Sequence, residues 1–351
     1  MSLKKSTNSF RRKYLKMLTQ SIGKSSNKQL RPQPQPLNIY RILISRPNHR
    51  LGNQLLITPL IQEVQNLFPH AQIDLFVKGR VAPILFQEYG ICDYIELPRK
   101  PLKDFKNYLK MWAEIRNKRY DLVINVEKSS SSGRISAALS KAKFAFYGDD
   151  FEELKNQYSD YAHIAKYPVY NLRLFLERLG MKISWDSMPL LNLKLNKNEL
   201  DKGKKQLQEL VPNPAKKTIA FFTYATGDKC YSQEWWADFH SKFSKEFAEY
   251  NLIEILPVEN ISQLNFNLPS YYSKDVREIG SVMHHCELVV AADSGMMHLS
   301  SASLASTIGL FSVTKSEMYE PYGNHSISFN TEIRNQDELI LEMKKILEKK
   351  Q

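Results

Sequence analysis

The stretch Glu287-Leu-Val-Val-Ala-Ala-Asp293-Ser294-Gly295-Met-Met-His298-Leu-Ser300 has five consecutive apolar residues, then Asp-Ser-Gly, then a new apolar pattern at helical spacing. A short, unbroken apolar run reads as a strand buried on both faces. Asp-Ser-Gly directly after it is a helix-start signal. A buried strand feeding a helix with almost no loop is a unit of a parallel α/β sheet. The amides of Ser294 to Met296 then stand at a helix N-terminus, where unpaired N–H groups and a partial positive charge suit a diphosphate. Gly295 would admit a ligand close to the backbone. A competing reading is that Asp293 or Ser294 only caps the helix and that His298 is a core histidine.

The same alternation extends outward. Strands are expected at residues 218–223, 252–256, 307–311 and 326–329, with helices at 233–250, 274–285, 297–303 and 336–349. Upstream, strands are expected at 40–45, 72–77, 93–97, 122–126 and 143–147, with helices at 54–67, 102–117 and 169–179. This predicts an α/β chain of two Rossmann-like doubly wound domains, residues 37–192 and 218–351. The Lys-rich 193–217, with Pro212 and Pro214, is expected as the linker. Such sheets bind ligands beyond the carboxyl ends of their strands, here in a shared cleft.

Composition agrees with a globular chain: 351 residues, 42% hydrophobic and 25% charged, which excludes collagen-like and wholly disordered classes. The formal charge of +12 is unevenly placed, because residues 1–36 hold nine basic side chains and no acidic one. The body is close to neutral, which argues against a nucleic-acid partner. On a helix, Phe10, Tyr14, Met17, Leu18 and Ile22 share one side and Arg12, Lys13 and Lys16 the other, the pattern of an interfacial segment. A disordered basic tail is the alternative. Arg31-Pro-Gln-Pro-Gln-Pro36 reads as a stiff spacer. Cys92, Cys230 and Cys286 form no CxxC pair and no metal-ligand spacing. There is neither a secretory apolar core nor a spanning segment. A cytoplasmic protein is expected, attached peripherally to the inner face of the cytoplasmic membrane if the tail binds lipid.

Two further loops occupy strand ends. Thr223-Tyr-Ala-Thr226-Gly-Asp228-Lys229 offers hydroxyls, amides and a lysine point charge to a phosphate. Ser45-Arg46-Pro-Asn48-His49-Arg50-Leu-Gly52-Asn53 offers Arg46, His49 and Arg50 to an anionic acceptor, with Gly52 permitting a tight turn. No GxGxxG occurs. Each loop could equally be an ordinary turn with solvated charges.

Taken in order, these segments resemble glycosyltransferase family 9, the heptosyltransferases of lipopolysaccharide inner-core assembly. The matching residues are Leu51-Gly52-Asn53, Thr58-Pro59, Lys229, Glu234-Trp235-Trp236, Asp293-Ser294-Gly295-Met296-Met297-His298, Phe311 and Pro321-Tyr322. The resemblance implies a GT-B architecture, with a nucleotide-sugar donor (an ADP-sugar is favoured) in the C-terminal domain and a glycolipid acceptor in the N-terminal one. It implies an inverting transfer without metal or other cofactor. Lys229, Thr226 and the helix start at Ser294 and Gly295 would hold the diphosphate. Asp293 would meet sugar hydroxyls or brace its loop, His298 would steady it, and Glu259 would meet the ribose. Arg46 and Arg50 would meet the acceptor. The departure is Asn53, where the family has an aspartate that takes the acceptor's proton, since an amide has no basic site near neutral pH. His49 and Glu127 are the substitutes, and His49 is preferred for its intrinsic titration range. Two other functions compete: a non-catalytic sugar-nucleotide or glycan-binding relative, and a sugar-nucleotide epimerase on the same plan.

Overall fold

A computed structural model of the chain describes residues 17–23, 30–98 and 104–350. It divides into two compact units, one made of the chain up to His49 with Pro59–Pro189, the other of Arg50–Thr58 with Leu190–Gln351.

In the first unit, β1 (Arg41–Ser45), β2 (Gln72–Val77), β3 (Asp93–Glu96), β4 (Leu122–Asn125) and β5 (Phe144–Phe146) form a parallel sheet in the order β3-β2-β1-β4-β5. Its core gathers Leu43, Phe76, Ile115 and Val123. In the second unit, β6 (Thr218–Phe222), β7 (Asn251–Ile255), β8 (Ser270–Tyr271), β9 (Leu288–Ala292), β10 (Thr307–Phe311) and β11 (Ile327–Asn330) pair in the order β11-β10-β9-β6-β7-β8, again all parallel. Its core is aromatic, with Phe221 stacked on Phe243 at 4.2 Å between centroids and Trp236 fully enclosed. The winding direction reverses between β6 and β9, so a crevice opens beyond the carboxyl ends of those two strands.

Three expectations are corrected. Residues 193–217 are no plain linker: Lys197–Leu210 is a helix with an Asn196/Glu199 capping box. It is tied to the Val276–His284 helix by the buried Arg277, which donates to Glu199 and to the carbonyls of Leu193 and Lys194. The helix expected over 54–67 is two helices, Leu51–Leu55 and Thr58–Leu67. Pro59 has no N–H to give the Leu55 carbonyl, and the Thr58 hydroxyl takes that carbonyl instead at 2.8 Å. The Pro-rich 31–36 does not stand clear of the fold, because Gln33 N and Gln35 Nε2 both donate to the Leu179 carbonyl, at 2.9 and 3.0 Å. Of the proposed interfacial segment, Phe10, Tyr14 and the basic residues lie outside the described residues. Met17 and Leu18 are exposed, while Thr19 is buried and donates to the Ser131 hydroxyl. The three cysteines are free.

Candidate functional site

The second unit holds a cavity of about 690 Å³ beyond β6, β7 and β9, in the size range of small-ligand pockets. Nine residues singled out from the sequence line it: Arg50, Asn53, Thr226, Lys229, Glu259, Asp293, Ser294, Gly295 and His298.

The strand-to-helix junction at 293–295 resolves the capping question. Ser294 is the N-cap of Gly295–Ala302 and accepts from Met296 N at 3.3 Å. Asp293 is spared that task. Its backbone N–H is held by the Leu310 carbonyl, and its carboxylate receives the Lys229 ammonium at 2.5 Å. Asp293 is only 7% exposed and Lys229 36%, so the pair is anchored on the acidic side and open on the basic side. The lysine comes from the 3-10 turn Gly227–Lys229 after β6, the neighbour of β9 in the sheet. Thr226 is exposed at the start of that turn. A cation braced by a buried carboxylate beside a helix N-terminus has the chemistry that suits a phosphate.

Gly52 has a different reason from the one expected, and it is shared with Gly295. Gly52 is helical rather than a tight turn, and a Cβ on it would stand 2.7 Å from His298 Cδ2 and 3.3 Å from Gly295 Cα. A Cβ on Gly295 would stand 3.2 Å from Gly52 N and from Leu51 Cβ. The two glycines therefore let the Leu51–Leu55 and Gly295–Ala302 helices touch backbone to backbone. His298 is buried against this contact, its ring 6.3 Å from that of Tyr319.

The remaining candidates lie in the first unit. Arg46 is buried and pairs with Glu127 at 3.3 Å. Glu127 also accepts from Ser129 N and Oγ. His49 is exposed beside Gly79. Arg50, grouped with Arg46 in the sequence, belongs to the second unit. Glu234-Trp235-Trp236 serves the core through Trp236.

Sequence reading missed Lys274 and Tyr319, which also line the cavity, and missed Glu254. This acid inside the apolar strand Leu252-Ile-Glu-Ile255 was the available signal. Glu254 accepts from the hydroxyls of Thr223 at 2.6 Å and Ser262 at 2.5 Å. Those hydroxyls in turn accept from the N–H groups of Gln263, Leu264 and Phe266, which pins the loop that carries Glu259. Burial pushes the Glu254 carboxyl above its ordinary range, against the pull of these hydrogen bonds. Glu254→Gln has one acceptor oxygen fewer and is expected to cost about 1–3 kcal/mol, read as a lowered urea midpoint; an unchanged midpoint would refute the pinning role.

Residues 274–350 match the profile "Glycosyltransferase family 9 (heptosyltransferase)". Over this segment the chain is similar to family 9 glycosyltransferases. Lipopolysaccharide heptosyltransferase 3 of Escherichia coli is 22% identical over 304 residues, covering 79% of this chain and 85% of that protein. Among solved structures, a family 9 glycosyltransferase from Veillonella parvula superposes with a TM-score of 0.67 at 16% identity, covering 88% of this chain and 97% of that one. E. coli ADP-heptose lps heptosyltransferase II superposes with 0.64 at 13% identity, covering 88% and 99%. The two parallel-sheet units are thus those of the GT-B fold. Among the described residues, no helix is long and apolar enough to span a membrane.

Proposed function

We propose that this glycosyltransferase moves a heptose or related sugar from an ADP-linked donor to a lipopolysaccharide or other surface glycolipid, with inversion and without a metal ion. The observation that carries this reading is the Lys229–Asp293 pair at the start of the Gly295–Ala302 helix. As the C1–O bond to the diphosphate breaks, negative charge grows on the departing phosphate oxygen. Lys229 and the helix N–H groups meet that charge where a divalent cation otherwise would. Leu256, Pro257, Val276 and Ile279 give the cavity apolar lining suited to a base, and Glu259 offers a carboxylate to ribose hydroxyls. The acceptor hydroxyl attacks C1 from the face opposite the leaving group and passes its proton to His49, whose intrinsic titration range lies near neutral pH.

The basic tail is proposed to bring the enzyme to an anionic membrane at about 1 kcal/mol per basic residue near the surface. The test is transfer from ADP-heptose to lipopolysaccharide-core acceptor in anionic vesicles, with the product anomer read by NMR. Inverted product, its loss in His49→Ala, and loss of vesicle sedimentation on deleting residues 1–16 are expected. A retained anomer, an unimpaired His49→Ala variant, or full vesicle binding without the tail would each overturn its own part of the proposal. The non-catalytic alternative is favoured by Asn53 alone and predicts binding without product.

A further inference from the structure

Resting on the membrane part of the reading above, we infer that the first unit has a lipid contact of its own besides the tail. The Phe105–Asn117 helix lays Phe105 and Leu109 into an anionic bilayer surface. These two residues stand one helical turn apart and are 56% and 51% exposed, while Met111 and Ile115 on another side of the helix enter the core. Large apolar side chains aligned on one exposed helix face form a stripe rather than scattered exposure. Lys106 and Lys110, both exposed, lie beside that stripe, and residues 99–110 hold five basic side chains against Asp104 alone. Glu114, further along the helix, is paired with Lys118 at 3.6 Å. An apolar stripe edged with lysine fits an anionic lipid surface, where the apolar groups enter the headgroup boundary and the ammonium groups meet phosphate.

A separate observation brings the tail to the same end of the unit. Residues 17–23 are seated beside the Ser131–Leu139 helix: buried Thr19 donates to Ser131 Oγ at 2.8 Å, and the enclosed Arg134 donates to the Gln20 carbonyl at 3.2 Å. Gly23, at a φ of 78°, packs against the Tyr147 ring, which a Cβ would meet at 2.2 Å. The Phe105–Asn117 and Ser131–Leu139 helices follow β3 and β4, so both begin at the carboxyl end of the parallel sheet. They cover one face of it, with Met111, Ile115 and Ala137 in a single cluster over Leu43, Phe76 and Val123. The exposed Met17 and Leu18 therefore leave the unit on the face and at the end where Phe105 and Leu109 stand. Two weak lipid contacts held on one unit reinforce each other without any new interaction.

The experiment is sedimentation of the full chain with vesicles of equimolar phosphatidylglycerol and phosphatidylcholine, and with phosphatidylcholine alone. Phe105→Ser combined with Leu109→Ser is expected to weaken binding to the anionic vesicles by about ten-fold or more, and Lys106→Glu combined with Lys110→Glu by about as much. Leu341→Ser, which alters a comparably exposed leucine of the second unit, should bind as wild type. Insertion is read from Phe105→Trp, whose added fluorescence should be quenched by bromine-labelled lipid, whereas that of Leu341→Trp should not. If wild type sediments and the Phe105/Leu109 double variant sediments equally well, the helix assignment fails and the tail reading stands. It fails also if Phe105→Trp is not quenched while the vesicles are bound. Loss of a dimer in the double variant with vesicle binding unchanged would make the stripe a protein interface and overturn the assignment. If wild type sediments with neither vesicle, the membrane reading fails with it.

Discussion

Lys229→Ala is expected to lower transfer by about 10²- to 10³-fold, the usual cost of removing one group aimed at developing charge. Two effects combine. The departing diphosphate loses its nearest cation, and Asp293, 7% exposed, is left as an uncompensated carboxylate facing the same phosphates. The second effect makes a specific prediction, because Lys229→Ala with Asp293→Asn removes the orphaned charge. The double variant should bind ADP more tightly than Lys229→Ala alone, a non-additivity proper to groups in contact. Equal ADP affinity in the single and double variants would show that the pair does not act on phosphate.

Arg277→Ala should destabilise the second unit by about 3–5 kcal/mol, the cost of breaking a buried pair. Arg277 is 3% exposed and donates to both carboxylate oxygens of Glu199 and to two carbonyls, so its loss strands a carboxylate and two backbone acceptors. Arg277→Lys should recover little, since one ammonium cannot serve four acceptors spread over a loop and a helix. Burial pushes the Glu199 carboxyl up, but the Arg277 guanidinium and the Asn196 N–H outweigh it and hold it below its ordinary 4.5. A depressed folded-state value gives stability that is complete above about 4.5 and is lost as pH falls through the lower folded value. Urea unfolding followed by tryptophan fluorescence should therefore show the wild type losing this stability in acid, and Arg277→Ala with a shallower acid slope. Parallel slopes would mean that the pair contributes nothing to acid sensitivity. The Val276–His284 helix also lends Val276 and Ile279 to the cavity, so donor affinity should fall as this helix loosens.

What was legible in the sequence followed from strong local signals. Leu288–Ala292, Thr307–Phe311 and Gln72–Val77 are continuous apolar or β-rich runs, and they form strands with those bounds. The Asp-Ser-Gly helix start was legible for the same reason, since hydrophobic pattern and cap chemistry agree there. The two-residue β8 was not legible, because Ser270 and Tyr271 are too few to show any period. Residues 193–217 misled because their helix is mostly polar, and what holds it is a long-range partner, Arg277, some eighty positions away. Gly52 looked like a turn residue because a glycine's reason is local conformation or close approach, and only the fold distinguishes these. The same holds for Arg50, which follows His49 in the chain but lines the second unit's cavity.

The most direct test of the central claim is ADP release from ADP-heptose, measured with and without a lipopolysaccharide-core acceptor. The account predicts release that requires acceptor, saturates with donor and is lost in Lys229→Ala. Release that is equally fast without acceptor, or no release with binding intact, would contradict it.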